Sequence, residues 1–220
     1  VALVLALVLL RVYFRAPAPA APPRAISWRY SAYTLLGLLA FAVMANADAI
    51  IVRRIFGDAA AEAYAPVVTL GKMNLFIPLG IGLVLFPKAT QRRAAGRDPR
   101  PVLLLALAAT LLPGLLLTAL YALWPGQIVA LVFGPAYADP GRLLALVGLA
   151  TTLYAAVNIW LNYALSLEQR AYVVILAAIV VAQVTAMLLF HARLESIAWA
   201  MLAASVAANV AGVALLLARG

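Results

Sequence analysis

The sequence predicts an all-α, polytopic membrane bundle, with about six complete transmembrane helices after one truncated N-terminal helix. Three observations carry that expectation. Hydrophobic residues make up 67% of the chain and charged residues 10%, whereas a soluble domain is typically about 45 to 50% apolar. Apolar runs long enough to cross a bilayer recur along the chain. The formal charge of +9 lies mostly in the loops between those runs rather than along one polar face. That placement reads as a topology signal and argues against nucleic acid as a partner.

The elements follow in order. Residues 1–14 read as the tail of a cut transmembrane helix, since Val1 to Leu10 is only about 15 Å of helix. A signal peptide would need a basic region before its apolar core. Residues 15–29 contain Ala16-Pro17-Ala18-Pro19-Ala20-Ala21-Pro22-Pro23 and read as a stiff, extended cytoplasmic linker. Residues 30–220 then form a six-helix transmembrane unit. Its first span runs from Tyr30 to Arg54. The next runs from about Ala63 to Phe86, where Pro66, Pro78, Gly80 and Gly82 predict a kink or local unwinding.

A basic loop from Lys88 to Arg100 leads to a span from Val102 to Trp124, with Pro113-Gly114 as a further kink. Between Pro125 and Arg142 the apolar stretch is too short to cross and reads as an interfacial turn of helix. Spans from Leu143 to Leu167, Ala171 to Phe190 and Ile197 to Leu217 complete the set. In the last, Ala200, Ala204, Ala208 and Gly212 make a small-residue stripe suited to close helix packing, with Ser205 and Asn209 one residue round from it and expected to hydrogen-bond across that contact.

Charge inside the apolar runs is scarce, which makes it informative. Asp48 lies near the far end of the first complete span, and an intramembrane carboxylate at the centre costs roughly 2.5 to 3.5 kcal/mol on insertion scales. Such a residue usually faces a bundle interior or a water-filled path; here it also lies close enough to Arg53 and Arg54 to pair with them or to sit near the headgroups. Asn46 precedes it by two residues, a rotation of about 200°. The two are therefore expected on different walls.

Lys72 is the deepest charge, about 15 Å from the start of its span. Asp48 is its obvious partner, although their depths differ by about 7 Å on helix rise alone. Farther on, Thr151, Tyr154, Asn158, Asn162 and Ser166 recur at spacings of three or four and share one helix face. That face reads equally well as a cavity wall or as a seam of interhelical hydrogen bonds.

There is no cysteine, hence no disulfide or thiolate metal site. His191, the single histidine, stands at a helix end and reads as a solvated loop residue. Asp58 and Glu62, at i and i+4, have no His, second acidic cluster or Gly-rich loop beside them. This makes an integral-membrane glycosyl- or phosphotransferase the weaker reading. Eleven of the 16 basic residues fall in one set of alternating loops and four in the other, with Lys72 between. The richer set is expected in the cytoplasm, with the Asp48 end of its helix facing outward.

In that topology several stretches resemble the carboxyl-terminal lobe of a polysaccharide (O-antigen type) flippase of the multidrug/oligosaccharidyl-lipid/polysaccharide exporter superfamily. The carriers are Asn46 to Val52 followed by Phe56-Gly57 and Ala63-Tyr64-Ala65, then Leu85-Phe86-Pro87, Val132 to Tyr137 running into Leu143-Leu144, and Asn162 to Arg170. The resemblance implies one lobe of a two-lobe transporter in the cytoplasmic (inner) membrane, its N-terminal lobe lying outside this chain. It also implies alternating access and an undecaprenyl-diphosphate-linked glycan as substrate. On that reading Lys72 takes the diphosphate and the face from Thr151 to Ser166 takes the sugars. Asp48, with Asn46, would carry a coupling H+ or Na+, and no catalytic residue, metal or cofactor is expected. A cation-coupled multidrug exporter and a lipid II flippase of the same superfamily are the alternatives.

Overall fold

The computed structural model describes residues 28–137 and 143–218. Among them the chain is helical throughout, in the order α1 (Trp28–Phe56), α2 (Asp58–Met73), α3 (Ile77–Ala94), α4 (Arg100–Leu123), α5 (Pro125–Phe133), α6 (Leu143–Ser166), α7 (Arg170–Leu189) and α8 (Leu194–Leu217). Short 3-10 turns at Asn74–Phe76 and Pro135–Tyr137 interrupt the series. Five helices, α1, α4, α6, α7 and α8, are long and apolar enough to cross a membrane. The expected truncated helix and all but the end of the Pro-rich linker lie outside the described residues. Trp28 and Arg29, expected in that linker, instead open α1.

The span expected from Ala63 to Phe86 departs most from its sequence reading. It is replaced by α2, a three-residue 3-10 turn and α3. A proline at position 78 has no N–H to return to the carbonyl of residue 74, and the chain tightens into 3-10 geometry just before it. Neither half meets the terms of a complete span. At 16 residues α2 is about 24 Å long, and α3 carries Lys88, Arg92 and Arg93 in its last turns.

The core sits on α6. In its most apolar stretch 67% of the residues are buried, against at most 44% in the other four spanning helices. It packs against α2, α3, α4 and α8, while α1 and α7 close the far side by packing on each other. On α4 one face is buried (Leu103, Ala106, Thr110, Gly114, Thr118, Tyr121) and Leu105, Leu112 and Leu116 point out at the positions lipid would cover.

Glycine permits the close approaches. A methyl group on Gly148 of α6 would stand 2.7 Å from Cδ2 of Tyr121, and one on Gly71 of α2 the same distance from Cγ1 of Val147. Without a bulk hydrophobic drive between helices in lipid, such backbone proximity is a main source of packing energy. The small-residue stripe on α8 serves the same end. Ala204, Ala208 and Gly212 are buried, and Asn209 donates across the contact to the Leu153 carbonyl at 3.0 Å. Ser205 instead bonds within its own helix, to Leu202.

Gly148→Ala is expected to lower stability in detergent by about 1 to 3 kcal/mol, because an aromatic ring must move. Gly80, with nothing within 4 Å of its would-be methyl, supplies the control. Gly80→Ala should be neutral or stabilising by about 0.5 to 1 kcal/mol in the same denaturant titration.

Candidate functional site

α1 and α2 are joined by one residue, Gly57, whose φ of 84° lies in the left-handed region that glycine occupies without strain. The tight turn sets the helices antiparallel. Contacts run from Arg53 to Asp58 at the turn (3.0 Å), through Asp48 to Tyr64, to Asn46 and Lys72 farthest from it. Arg53 is thereby committed to Asp58, on the exposed surface, and Asp48 is left to other partners.

Those partners enclose it. Asp48 is completely buried on the α1 face made by Gly37, Ala40, Met44 and Ile51. The Tyr64 hydroxyl donates to its Oδ2 at 3.2 Å and also touches Met201 Sδ at 3.8 Å. On the other side Lys72 Nζ stands 3.7 Å from Oδ1, an ion pair beyond hydrogen-bond reach. Nζ makes its closer contact with Asn46 Oδ1, at 3.2 Å.

Helix direction explains how residues of different depth meet. Side chains lean toward the N-terminus of their own helix. In an antiparallel pair Asp48 therefore leans away from the Gly57 turn and Lys72 leans back toward it. The expected offset of about 7 Å is closed by these opposed tilts and the long Lys stem.

Asn46 and Asp48 do differ in exposure, one open and the other buried, as their angular separation requires. The Lys72 ammonium nevertheless reaches both, so two side chains on different walls share one partner. Lys72 keeps 22% of its side chain exposed, so the cation is accessible while the carboxylate is not.

The polar face of α6 divides into parts. Thr151 is buried and donates to the Gly71 carbonyl at 2.7 Å, pinning the residue next to Lys72. Tyr154 is buried within electrostatic reach of Asp48 and Tyr64. Asn158 and Asn162 are half-buried and bond to each other at 2.9 Å. Ser166 bonds back to the Tyr163 carbonyl of its own helix. The Thr151–Tyr154 end adjoins the Lys72 cluster by contact or field, whereas the Asn158–Asn162 and Ser166 hydrogen bonds stay within α6.

Several polar residues at the site carry no mark in the reading of the α6 stripe. Asn74, fully buried in the 3-10 turn, donates to the Gly148 carbonyl at 3.0 Å and to Thr152 Oγ1 at 2.8 Å. Thr152 continues to Thr118 (3.0 Å), and the Tyr121 hydroxyl reaches the Leu70 carbonyl (2.8 Å). Gln183 of α7 ties in α1 through the Met44 carbonyl at 3.1 Å. Tyr64 stands within the Ala63-Tyr64-Ala65 motif, yet its role as partner of Asp48 has no local signature. The usable signal for Asn74 is a strongly polar side chain two residues after Lys72 in an apolar run.

Among the described residues no group of three or more His, Cys, Asp or Glu is placed to hold a metal. His191 is exposed, its ring nitrogen against the Leu188 carbonyl. No family model, curated protein or solved structure matches this chain.

Removing one partner from a buried pair leaves an uncompensated charge. Lys72→Met is therefore expected to destabilise the protein by about 3 kcal/mol, and Asp48→Asn/Lys72→Met to regain most of that loss. A double-mutant cycle of denaturant midpoints in detergent reads the coupling. A cycle that closes at zero would mean the two charges do not interact.

Proposed function

We propose that this membrane protein is a flippase that moves an undecaprenyl-diphosphate-linked glycan across the cytoplasmic membrane by alternating access, working with a second lobe outside this chain. The observation that carries the reading is the accessible Lys72 ammonium, held loosely between Asn46 and a fully buried Asp48. A diphosphate needs such a cation, and a cation deep in a membrane needs a resident anion when the substrate is absent. Lys72 serves as the first and Asp48 as the second.

In this mechanism Lys72 alternates between two anions. With no substrate bound it pairs with Asp48, and the uncompensated charge within the bundle is small. When the diphosphate arrives, Lys72 turns to it and Asp48 takes up H+ or Na+. When the lipid leaves, the ion leaves too and the pair re-forms. Ion and substrate binding favour each other, and by linkage each strengthens the other's affinity by the same factor. In the outward step the substrate's roughly two negative charges move together with the one cation on Asp48, and the net charge of about −1 is favoured by an interior-negative potential by roughly 2 kcal/mol per 100 mV. The half-buried Asn158–Asn162 pair offers amide groups to the sugars, and the exposed apolar faces of α4 leave a path for the tail.

The test uses cells that depend on the complete reading frame for surface glycan, with membrane levels of each variant measured in parallel. Lys72→Ala and Asp48→Asn are each expected to reduce display to background, and Lys72→Arg to retain part of it. Wild-type display by both loss variants would end the proposal. Efflux of organic cations lost in Asp48→Asn but kept in Lys72→Ala would assign the site to a multidrug exporter instead.

A further inference from the structure

The facing ends of α3 and α4 carry a second charged feature, remote in sequence from the Lys72 cluster. Lys88, Gln91 and Arg92 stand on α3 at i, i+3 and i+4, which places them on one face, and Ala95 at its C-cap continues that face. Pro101, Val102 and Leu105 of α4 stand opposite, and together with Arg97 they line a cleft of about 550 Å3. The turn that closes the cleft is built rather than loose. Gly96, at φ 67°, donates to the Arg93 carbonyl at 3.1 Å, and the Arg97 N–H donates to the Arg92 carbonyl at 2.8 Å. This is the Schellman arrangement, and it folds Arg97 back over the end of α3.

Charge in the cleft is unbalanced. The one nearby acid, Asp98, accepts from the Arg100 N–H at 2.9 Å and faces the Arg100 guanidinium at 3.9 Å. Arg92 reaches only the Asp98 main-chain carbonyl, at 3.2 Å. Among the described residues no carboxylate lies within ion-pair distance of Lys88, Arg92 or Arg97. Three cations thus share one cleft whose opposite wall is apolar, and Leu105, 72% exposed, continues that wall one turn along the membrane-spanning part of α4.

We propose that this cleft binds the headgroup of an anionic glycerophospholipid, with its phosphate on Lys88, Arg92 and Arg97 and an acyl chain along Val102 and Leu105. Charge complementarity selects an anion, and the apolar wall selects one that carries a lipid tail. A free phosphate would leave Val102 and Leu105 without a partner. A zwitterionic lipid would bring a fourth cation into the cluster. The site is independent of what the protein transports.

The experiment is native mass spectrometry of the chain purified in detergent and equilibrated with equimolar phosphatidylglycerol and phosphatidylcholine. Wild type is expected to retain phosphatidylglycerol about tenfold over phosphatidylcholine. In the triple variant Lys88→Gln/Arg92→Gln/Arg97→Gln the ratio should fall to near one, whereas Arg53→Gln/Arg54→Gln, at the opposite end of the bundle, should leave it unchanged. Gln91→Glu, which adds a repelling charge in the cleft at an exposed position, should also lower it, and decides the matter if the triple variant folds poorly. Equal retention of both lipids by wild type, or an undiminished preference in Gln91→Glu, would overturn the proposal. Displacement of the lipid by millimolar inorganic phosphate would also overturn it, by assigning the cleft to a free anion.

Discussion

A helix that breaks inside a bilayer leaves carbonyl groups that water cannot reach, and the structure is arranged around that constraint. The break at Asn74–Phe76 shifts the hydrogen-bond register at the end of α2, where the Asn74 N–H turns to the Gly71 carbonyl and the last turn's carbonyls are open to further donors. Tyr121 of α4 donates to the Leu70 carbonyl and Thr151 of α6 to that of Gly71. Asn74 then spends its own amide on α6, at the Gly148 carbonyl and Thr152. Each unsatisfied group in hydrocarbon would cost several kcal/mol. The polar residues of α4 and α6 at this level follow from that cost, and so do the glycines that let their backbones approach.

The same break positions the charge. Lys72 lies two residues before the 3-10 turn, and the carbonyl of its neighbour Gly71 is fixed to α6. An unbroken helix through this segment would present Lys72 as one more side chain on a continuous cylinder. Here the last turn of α2 is tied on two sides, to α4 and α6, and the ammonium is directed back along α2 toward Asp48. The carboxylate is rigidly held by burial and Tyr64, whereas the ammonium is held by a long stem and two weaker contacts. The pair is asymmetric: one member is fixed and the other is free to exchange.

Sequence reasoning reached the helices and the charge pair for the same physical reason: in an apolar chain each polar residue is costly enough to be informative. The boundaries of α4, α6 and α7 fall within two residues of the apolar runs, and the unwinding near Pro78 follows from its missing N–H. The α6 stripe was legible as a face but not as a function. Spacing shows that Thr151, Tyr154, Asn158, Asn162 and Ser166 align, but not what lies opposite each. Thr151 meets a broken helix, whereas Ser166 meets only its own backbone. Asn46 shows the other limit. A 200° separation constrains where two side chains start, yet a lysine long enough to reach between them joins both.

The position of α6 bears on how such a bundle can move. It contacts both sides of the broken helix, α2 and α3, as well as α4 and α8, whereas α1 is tied to it less and lies mainly against α2 and α7. Asp48 and Asn46 therefore belong to a peripheral helix and Thr151 to the central one, with Lys72 on the broken element between them. A small displacement of α1 and α7 against the rest would lengthen the Lys72–Asp48 distance without disturbing the bonds that cap the break. Coulomb attraction falls with that distance, and more steeply where water enters. Pairing of Lys72 with Asp48 would then favour the closed arrangement of α1, and on the function proposed above pairing with a substrate anion would release it. That is the differential contact between two states that a ligand-driven transition requires.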